Sequence, residues 1–244
     1  MLQQFKQISL AEMDKVKLQD RVDTKYSFQA KLLPVLLEML CPFYKIVEIN
    51  GNRLNSYHSI YFDTPKLDMF IDHHRGKNNR VKIRLRNYVE SNLSFFEIKK
   101  KNNKGRTIKN RIKVNGLSEK LNEELKSFLN SFDSTIPLNL TQTLTVDYNR
   151  ITLVGINDPE RLTLDINLSF NSGSNSCNFN NIVVAELKQE KPNPSSIAVK
   201  ALHSLHIREG FMSKYCLGIS CLYSGVKKNL FNSRIRYIKN LNSI

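Results

Sequence analysis

The sequence predicts an α+β protein: an antiparallel sheet closed into a β-barrel, with helices over its outside. Two observations lead there. Segments in which charged and apolar residues alternate with period two recur along the chain, and alternation places one kind of side chain on each face of a strand. The chain also carries 37 Lys and Arg against 22 Asp and Glu, a formal charge of +15. An excess of that size resists compaction by self-repulsion unless it is spread out or meets an anionic partner.

The elements follow in order. Ser9 and Glu12 form a capping-box pattern and start a short helix through about residue 17. Residues 21–27 read as a strand. Residues 29–40 have helical apolar spacing, with Pro34 weakening the helix or marking a kink. A strand over 55–62 ends at Asp63-Thr64-Pro65, a helix start with Pro65 at the first helical position. Strands follow at about 80–89, 94–101 and 105–114, the last two joined by the turn Asn102-Asn103-Lys104-Gly105. A helix over 118–129 precedes strands near 143–154, 161–170 and 181–190, with a turn over 171–176. Residues 195–207 and 212–225 read as helices. No linker divides residues 1–244, which read as a single domain.

The strands carry the argument. Arg80, Lys82, Arg84, Arg86 and Tyr88 share one face of their strand, opposite Val81, Ile83 and Leu85. Glu97, Lys99 and Lys101 alternate with Phe96 and Ile98; Lys109, Arg111 and Lys113 with Ile108, Ile112 and Val114. Arg161, Thr163 and Asp165, then Glu186, Lys188 and Glu190, repeat the pattern, as do Arg21, Asp23 and Lys25. Any one strand reads equally as the solvated face of an ordinary sheet. Taken together, so many like charges side by side destabilise a sheet, and bound anions explain them better. Closing the sheet turns the charges inward and leaves the apolar faces for helices to cover. Arginine's fork suits phosphate oxygens, lysine acts as a point charge, and the scattered Asp and Glu offer oxygens to Mg²⁺ or Mn²⁺.

Composition excludes other classes. The four cysteines show no CxxC spacing, which points to a reducing, cytoplasmic setting and away from structural zinc. No stretch has the roughly 20 apolar residues of a membrane span, and few aromatics interleave the basic residues, so no nucleic-acid partner is expected.

At these residues the sequence resembles the polyphosphate polymerase (VTC) domain of the CYTH-like triphosphate tunnel metalloenzyme superfamily. The matching pieces are RVDTKY (21–26), YHSIYFDT (57–64), KIRLRNY (82–88), FFEIKKK (95–101), IKNRI (108–112), YNR (148–150), RLTLD (161–165), VVAELK (183–188) and SKY (213–215). They occur in family order over nearly the whole chain.

The resemblance implies an eight-stranded antiparallel tunnel barrel with capping helices. It implies an ATP-dependent phosphotransferase that polymerises polyphosphate from the γ-phosphate of ATP with a divalent metal, Mn²⁺ or Mg²⁺. Carried over by position, Lys25, Arg84, Arg86, Lys99 and Lys188 stabilise transition-state charge. Lys109, Arg111, Arg150, Arg161 and Lys214 contact phosphate, and Tyr148 and Ser213 hydrogen-bond to it. Glu186 holds the metal, with Glu97 as a second ligand. A triphosphatase in the same tunnel and a non-catalytic polyphosphate-binding module are the alternatives. Individual residues keep plainer readings: Lys99 in an exposed basic turn beside Lys100 and Lys101, Asp165 paired with Arg161, Lys214 on the surface, His73 and His74 at a loop or tunnel rim. Where some members carry a basic residue three positions before the SKY lysine, this chain has Phe211.

Overall fold

A computed structural model describes residues 1–15, 22–104, 106–118, 120–210 and 213–243. In chain order the elements are β1 (Lys6–Ser9), α1 (Leu10–Lys15), β2 (Val22–Gln29), α2 (Leu33–Leu40), β3 (Tyr44–Glu48), β4 (Asn55–Asp63), α3 (Asp68–His74), β5 (Arg80–Tyr88) and β6 (Leu93–Lys101). There follow β7 (Thr107–Val114), α4 (Glu123–Phe132), β8 (Thr141–Gly155), β9 (Glu160–Ser172), β10 (Asn175–Phe179), β11 (Ile182–Gln189), α5 (Ile197–Ser204), α6 (Lys214–Leu222) and α7 (Asn232–Asn242). Among the described residues no helix is long and apolar enough to cross a membrane.

The α+β class holds, with one large sheet in the order β2-β11-β9-β8-β4-β5-β6-β7, every neighbouring pair antiparallel. Short β1 and β3 attach beside β8, and β10 beside β9. The expected closure is not seen in the ladder: among the described residues β2 and β7 do not pair. The free edge of β2 is taken by another segment. Tyr26 bridges to Glu209, Gly210 N donates to the Lys25 carbonyl at 2.8 Å, and Ser27 Oγ donates to the Gly210 carbonyl at 3.1 Å.

Helices cover the apolar faces as alternation requires. Helices α2 and α5 pack Leu36, Leu37, Leu40, Ala198 and Leu202 on Leu162, Leu164, Ala185 and Leu187. Helix α4 packs Leu125 and Leu129 on Ile60, Phe62, Ile83, Leu85, Phe96 and Ile98. Helix α6 is different. It lies against Leu144, Val146, Phe170 and Val184, which by register share the face of Tyr61, Ser59 and Asp165, the charged face. Gly218 permits this: a Cβ there would stand 2.6 Å from Leu144 Cδ2 and 2.7 Å from Phe170 Cδ1.

Several local expectations shift. The Ser9–Glu12 capping box is present, with Ser9 N donating to Glu12 at 2.9 Å and Glu12 N to Ser9 Oγ at 3.2 Å; the helix end expected at residue 17 lies outside the described residues. Pro34 sits in the first turn of α2, where it has no hydrogen bond to break, so there is no kink. Helix α3 starts at Asp68, not Pro65, because Leu67 turns left-handed at φ 58°. Asp63 stays in β4 and caps from there, accepting from the backbone N–H of Thr64 (2.7 Å), Met69 (2.9 Å) and Phe70 (2.9 Å). Helix α4 starts at Glu123, where Asn122 accepts from Leu125 N at 2.9 Å. The expected turn at 171–176 is largely strand, since β9 and β10 form a hairpin across it.

Candidate functional site

Cross-strand register sets the basic residues in rows. Lys82, Lys99 and Lys109 stand side by side on β5, β6 and β7, followed by Arg84, Glu97 and Arg111. On the other half, Lys188 pairs with Arg161 and Asp23, Glu186 with Thr163 and Lys25, and Asp165 with Arg150.

The two halves face each other. Lys99 on β6 feels the charges of Lys25 on β2 and Glu186 on β11. In a flat sheet, strands six steps apart would be separated by about 29 Å, well beyond the roughly 10 Å over which exposed charges interact in salt. The sheet is therefore rolled into a concavity with the cations inside.

Three knots of charge line it. Arg84 donates to Glu97 through Nε at 2.6 Å and approaches it through Nη2 at 2.5 Å, while its Nη1 donates to the Tyr61 hydroxyl at 3.3 Å. Arg150 grips Asp165 bidentately at 2.6 and 2.8 Å, and Lys214 reaches the same carboxylate from α6. Lys188 donates to Glu186, with Lys25 at 3.8 Å from it. Burial alone would push these carboxyls up. The cations override it, holding Asp165 at about 2 and Glu97 and Glu186 below the usual range, so all three stay ionised.

The lysines show the opposite imbalance. Burial first, then the ammoniums of Lys25 and Lys99, bring Lys82 down to about 7. Lys99 falls to about 8 through burial and the charges of Lys109 and Lys25, although water reaches its side chain; a concave wall crowds a group without sealing it. Among the described residues the carboxylates on this face are Asp23, Asp63, Glu97, Asp165 and Glu186, too few to balance its lysines and arginines. At its centre the Tyr148 hydroxyl is buried with no hydrogen-bond partner, while Lys214 Nζ lies 4.5 Å from its ring centroid and Arg150 at 5.4 Å. A buried donor among cations lacks an acceptor, and a phosphate oxygen is one.

The structure gathers Lys25, Arg84, Arg86, Lys99, Arg150, Lys188 and Lys214 on this face. Lys109 and Arg111 share it from exposed β7, Arg111 lying 4.5 Å over the Phe95 ring. Arg161 is at one end, donating to Met13 Sδ at 3.5 Å. Ser213 Oγ caps α6 by accepting from Cys216 N at 3.2 Å, so that lone-pair site already has a use. Two plainer readings are corrected: Asp165 pairs with Arg150 and Lys214 rather than with Arg161, and the Lys214 side chain, only 13% exposed, points into the charged face rather than lying on the surface. His74 is a core residue between Phe70 and Phe231, its Nε2 accepting from Leu230 N at 3.2 Å. His73 is held neutral, down to about 2, by burial and by Lys82 and Arg80. Arg21 and Phe211 lie outside the described residues.

Sequence reasoning put Lys82 on the charged face but gave it no role, and it missed Tyr61, which shares that face. It also missed what joins two of its motifs. Tyr215 of SKY donates to Asp63 of YFDT, and its ring stacks on Tyr61 of the same motif at 5.3 Å. For a metal, among the described residues no three of His, Cys, Asp and Glu gather as a ready cage. Glu186 and Glu97 are ionised oxygen donors, which fits a hard divalent cation that takes one or two carboxylates and completes its shell with phosphate oxygens and water.

No curated protein matches the chain. Its fold is similar to a candidate adenylyl cyclase from Hippeastrum described as having a dominant triphosphatase activity, at 13% identity and TM-score 0.54, over 84% of this chain and 98% of that one. It is also similar to a candidate adenylate cyclase from Bacillus halodurans, at 12% identity and TM-score 0.52, over 84% and 100%. Residues 20–223 match the VTC domain. With that match over most of its length, the chain belongs to the VTC domain family.

Proposed function

We propose that the concave face binds a triphosphate and transfers the γ-phosphoryl group of ATP to phosphate or to the end of a polyphosphate chain. One observation carries the reading: Arg84, Arg86, Arg150 and Lys214 crowd a buried tyrosine hydroxyl, that of Tyr148, which has no acceptor. In the proposal the rolled strands form the tunnel wall. Lys25, Arg84, Arg86, Lys99 and Lys188 neutralise charge on the group in transfer; Lys109, Arg111, Arg150, Arg161 and Lys214, with Tyr148 and Ser213, hold the rest of the anion. Glu186, with Glu97 second, would hold Mn²⁺ or Mg²⁺, which supplies charge neutralisation at the phosphates. Positioning and electrostatics suffice for phosphoryl transfer without a protein nucleophile.

Proton balance supports transfer over hydrolysis. When a terminal phosphate oxygen attacks the γ-phosphorus and ADP leaves, no proton must be moved; when water attacks, one must go to a base. The bases on this face are weak. Glu97, Asp165 and Glu186 are ion-paired, His73 is held near 2, and a bound anion would raise Lys82 and Lys99 and keep them protonated. Triphosphate hydrolysis is the second reading, favoured by the activity described for the Hippeastrum protein of the same fold.

Purified protein with ATP and Mn²⁺, resolved on a gel, separates the readings. Long-chain polyphosphate is the expected product. ADP with free phosphate alone means hydrolysis, and binding without turnover under any divalent metal means a binding module. Full activity in Glu186→Gln would remove Glu186 from the metal site.

A further inference from the structure

Tyr61 lies mid-strand in β4, only 5% exposed. Its ring stacks on Tyr215 at 5.3 Å, and the Arg84 guanidinium lies 5.9 Å from its centroid. Its hydroxyl oxygen accepts from Arg84 Nη1 at 3.3 Å. A phenol that accepts still has its own O–H to donate. The charged groups acting on that hydroxyl are Arg84 and Arg86 from β5 and Lys214 from α6, all of them donors with no lone pair to receive it. Burial pushes a tyrosine up, yet these cations bring Tyr61 below its ordinary value of 10.0, which polarises the O–H and strengthens it as a donor.

We propose that Tyr61 is a catalytic residue of the triphosphate site, its hydroxyl donating a hydrogen bond to a non-bridging oxygen of the phosphoryl group in transfer. This rests on the phosphoryl-transfer reading above. Charge spreads over those oxygens in the transition state, and preorganised donors aimed at them are where such sites gain rate. A phenol supplies a directed donor without adding to the repulsion that already depresses Lys82 and Lys99. Its aim is fixed twice, by the hydrogen bond from Arg84 and by the stack on Tyr215, which donates to Asp63. No bond to Tyr61 forms or breaks and its proton stays on the phenol.

Tyr61→Phe keeps the ring stack and removes the donor. With ATP and Mn²⁺, kcat is expected to fall about 100-fold, with KM and the affinity for inorganic tripolyphosphate within about 3-fold of wild type. A residue that only steers Arg84 would cost nothing further once Arg84 is replaced, so Tyr61→Phe added to Arg84→Lys is expected to lower kcat again, and no further loss would overturn the assignment. Near-ultraviolet titration of the free protein gives a second readout: one tyrosine ionises below pH 10.0 in wild type, is missing from Tyr61→Phe, and ionises higher once tripolyphosphate is bound. Should Tyr61→Phe fold poorly, difluorotyrosine at position 61 keeps the ring and makes the phenol more acidic: kcat is expected to be retained while the phenol is protonated and to fall as it ionises, at lower pH than in wild type, and a kcat unchanged through that ionisation would overturn the assignment. Wild-type kcat in Tyr61→Phe overturns it too, leaving the phosphoryl-transfer reading standing. An inactive wild type that binds no tripolyphosphate removes both.

Discussion

Replacing Lys82 by methionine should make the free protein more stable, and by an amount that depends on pH. Burial first, then Lys25, Lys99 and Arg84, press Lys82 down to about 7 in the fold from its ordinary 10.5. At about 1.4 kcal/mol per unit, a shift of about 3.5 units sets a ceiling near 5 kcal/mol. Partial solvent access brings the expected figure to about 2–3 kcal/mol. Because the folded pKa is depressed, the unfolded chain binds more protons between about 7 and 10.5, so wild-type stability rises with pH through that window. Below about 7 the lysine is charged in both states and the penalty is complete; above 10.5 it is neutral in both and the penalty is gone. Urea unfolding of both proteins at about pH 6, 8 and 10, in buffers free of phosphate, measures the difference directly. The advantage of Lys82→Met should be largest at the acid end and shrink steadily. Tripolyphosphate should reverse the order, since it supplies the charge the ammonium lacks. A difference that is flat with pH, or a variant less stable at neutral pH, would refute the claim that Lys82 is held against repulsion.

Other expectations concern the surroundings of the site. Asp165→Asn leaves Arg150 and Lys214 buried beside a neutral amide and should cost about 3–5 kcal/mol in urea unfolding, partly restored by tripolyphosphate. Gly218→Ala forces a methyl group against Leu144 and Phe170 and should lower stability by about 1–3 kcal/mol in a thermal melt. Asp63→Asn replaces an oxygen that accepts from Phe70 N and Tyr215 with a donor, and should lose about 1–3 kcal/mol by the same assay. Tripolyphosphate affinity, followed by calorimetry, should weaken as sodium chloride is raised, less steeply than for a surface patch because the concavity shields its charges.

Much of the charged face is legible from period two alone. Alternation assigns Arg84, Arg86, Glu97, Lys99, Glu186 and Lys188 to one side of their strands, and the register confirms that they share it. The partners are harder to read. Asp165 meets Arg150 and Lys214 from 15 and 49 residues away, while Arg161, its neighbour by alternation, faces Met13. Lys82 looks in the sequence like any other cation of its strand; only the row it forms with Lys99 and Lys109 marks it out. Strands β1, β3 and β10 and helix α7 escaped because each is short or polar, and its place is set by a neighbour rather than by its own pattern. Asp63-Thr64-Pro65 reads as a helix start, but the left-handed Leu67 that delays the helix has no signature in leucine's propensities.

The position of α6 gives the concavity a sense of direction. Its first turn delivers Lys214 and Tyr215 to the charged residues, while Leu217 and its neighbours occupy the apolar stretch beyond them. An extended anion lying along the lysine and arginine rows meets a helix at that end, where the lining turns from cation to hydrocarbon. By register Leu144 and Phe170 stand at the same strand ends as Arg80 and Lys101, so the cation-lined face runs away from α6 toward the opposite ends, where Arg161 and Lys188 stand. A glycine without a side chain, at position 218, is what lets the helix sit deep enough to act as that stop.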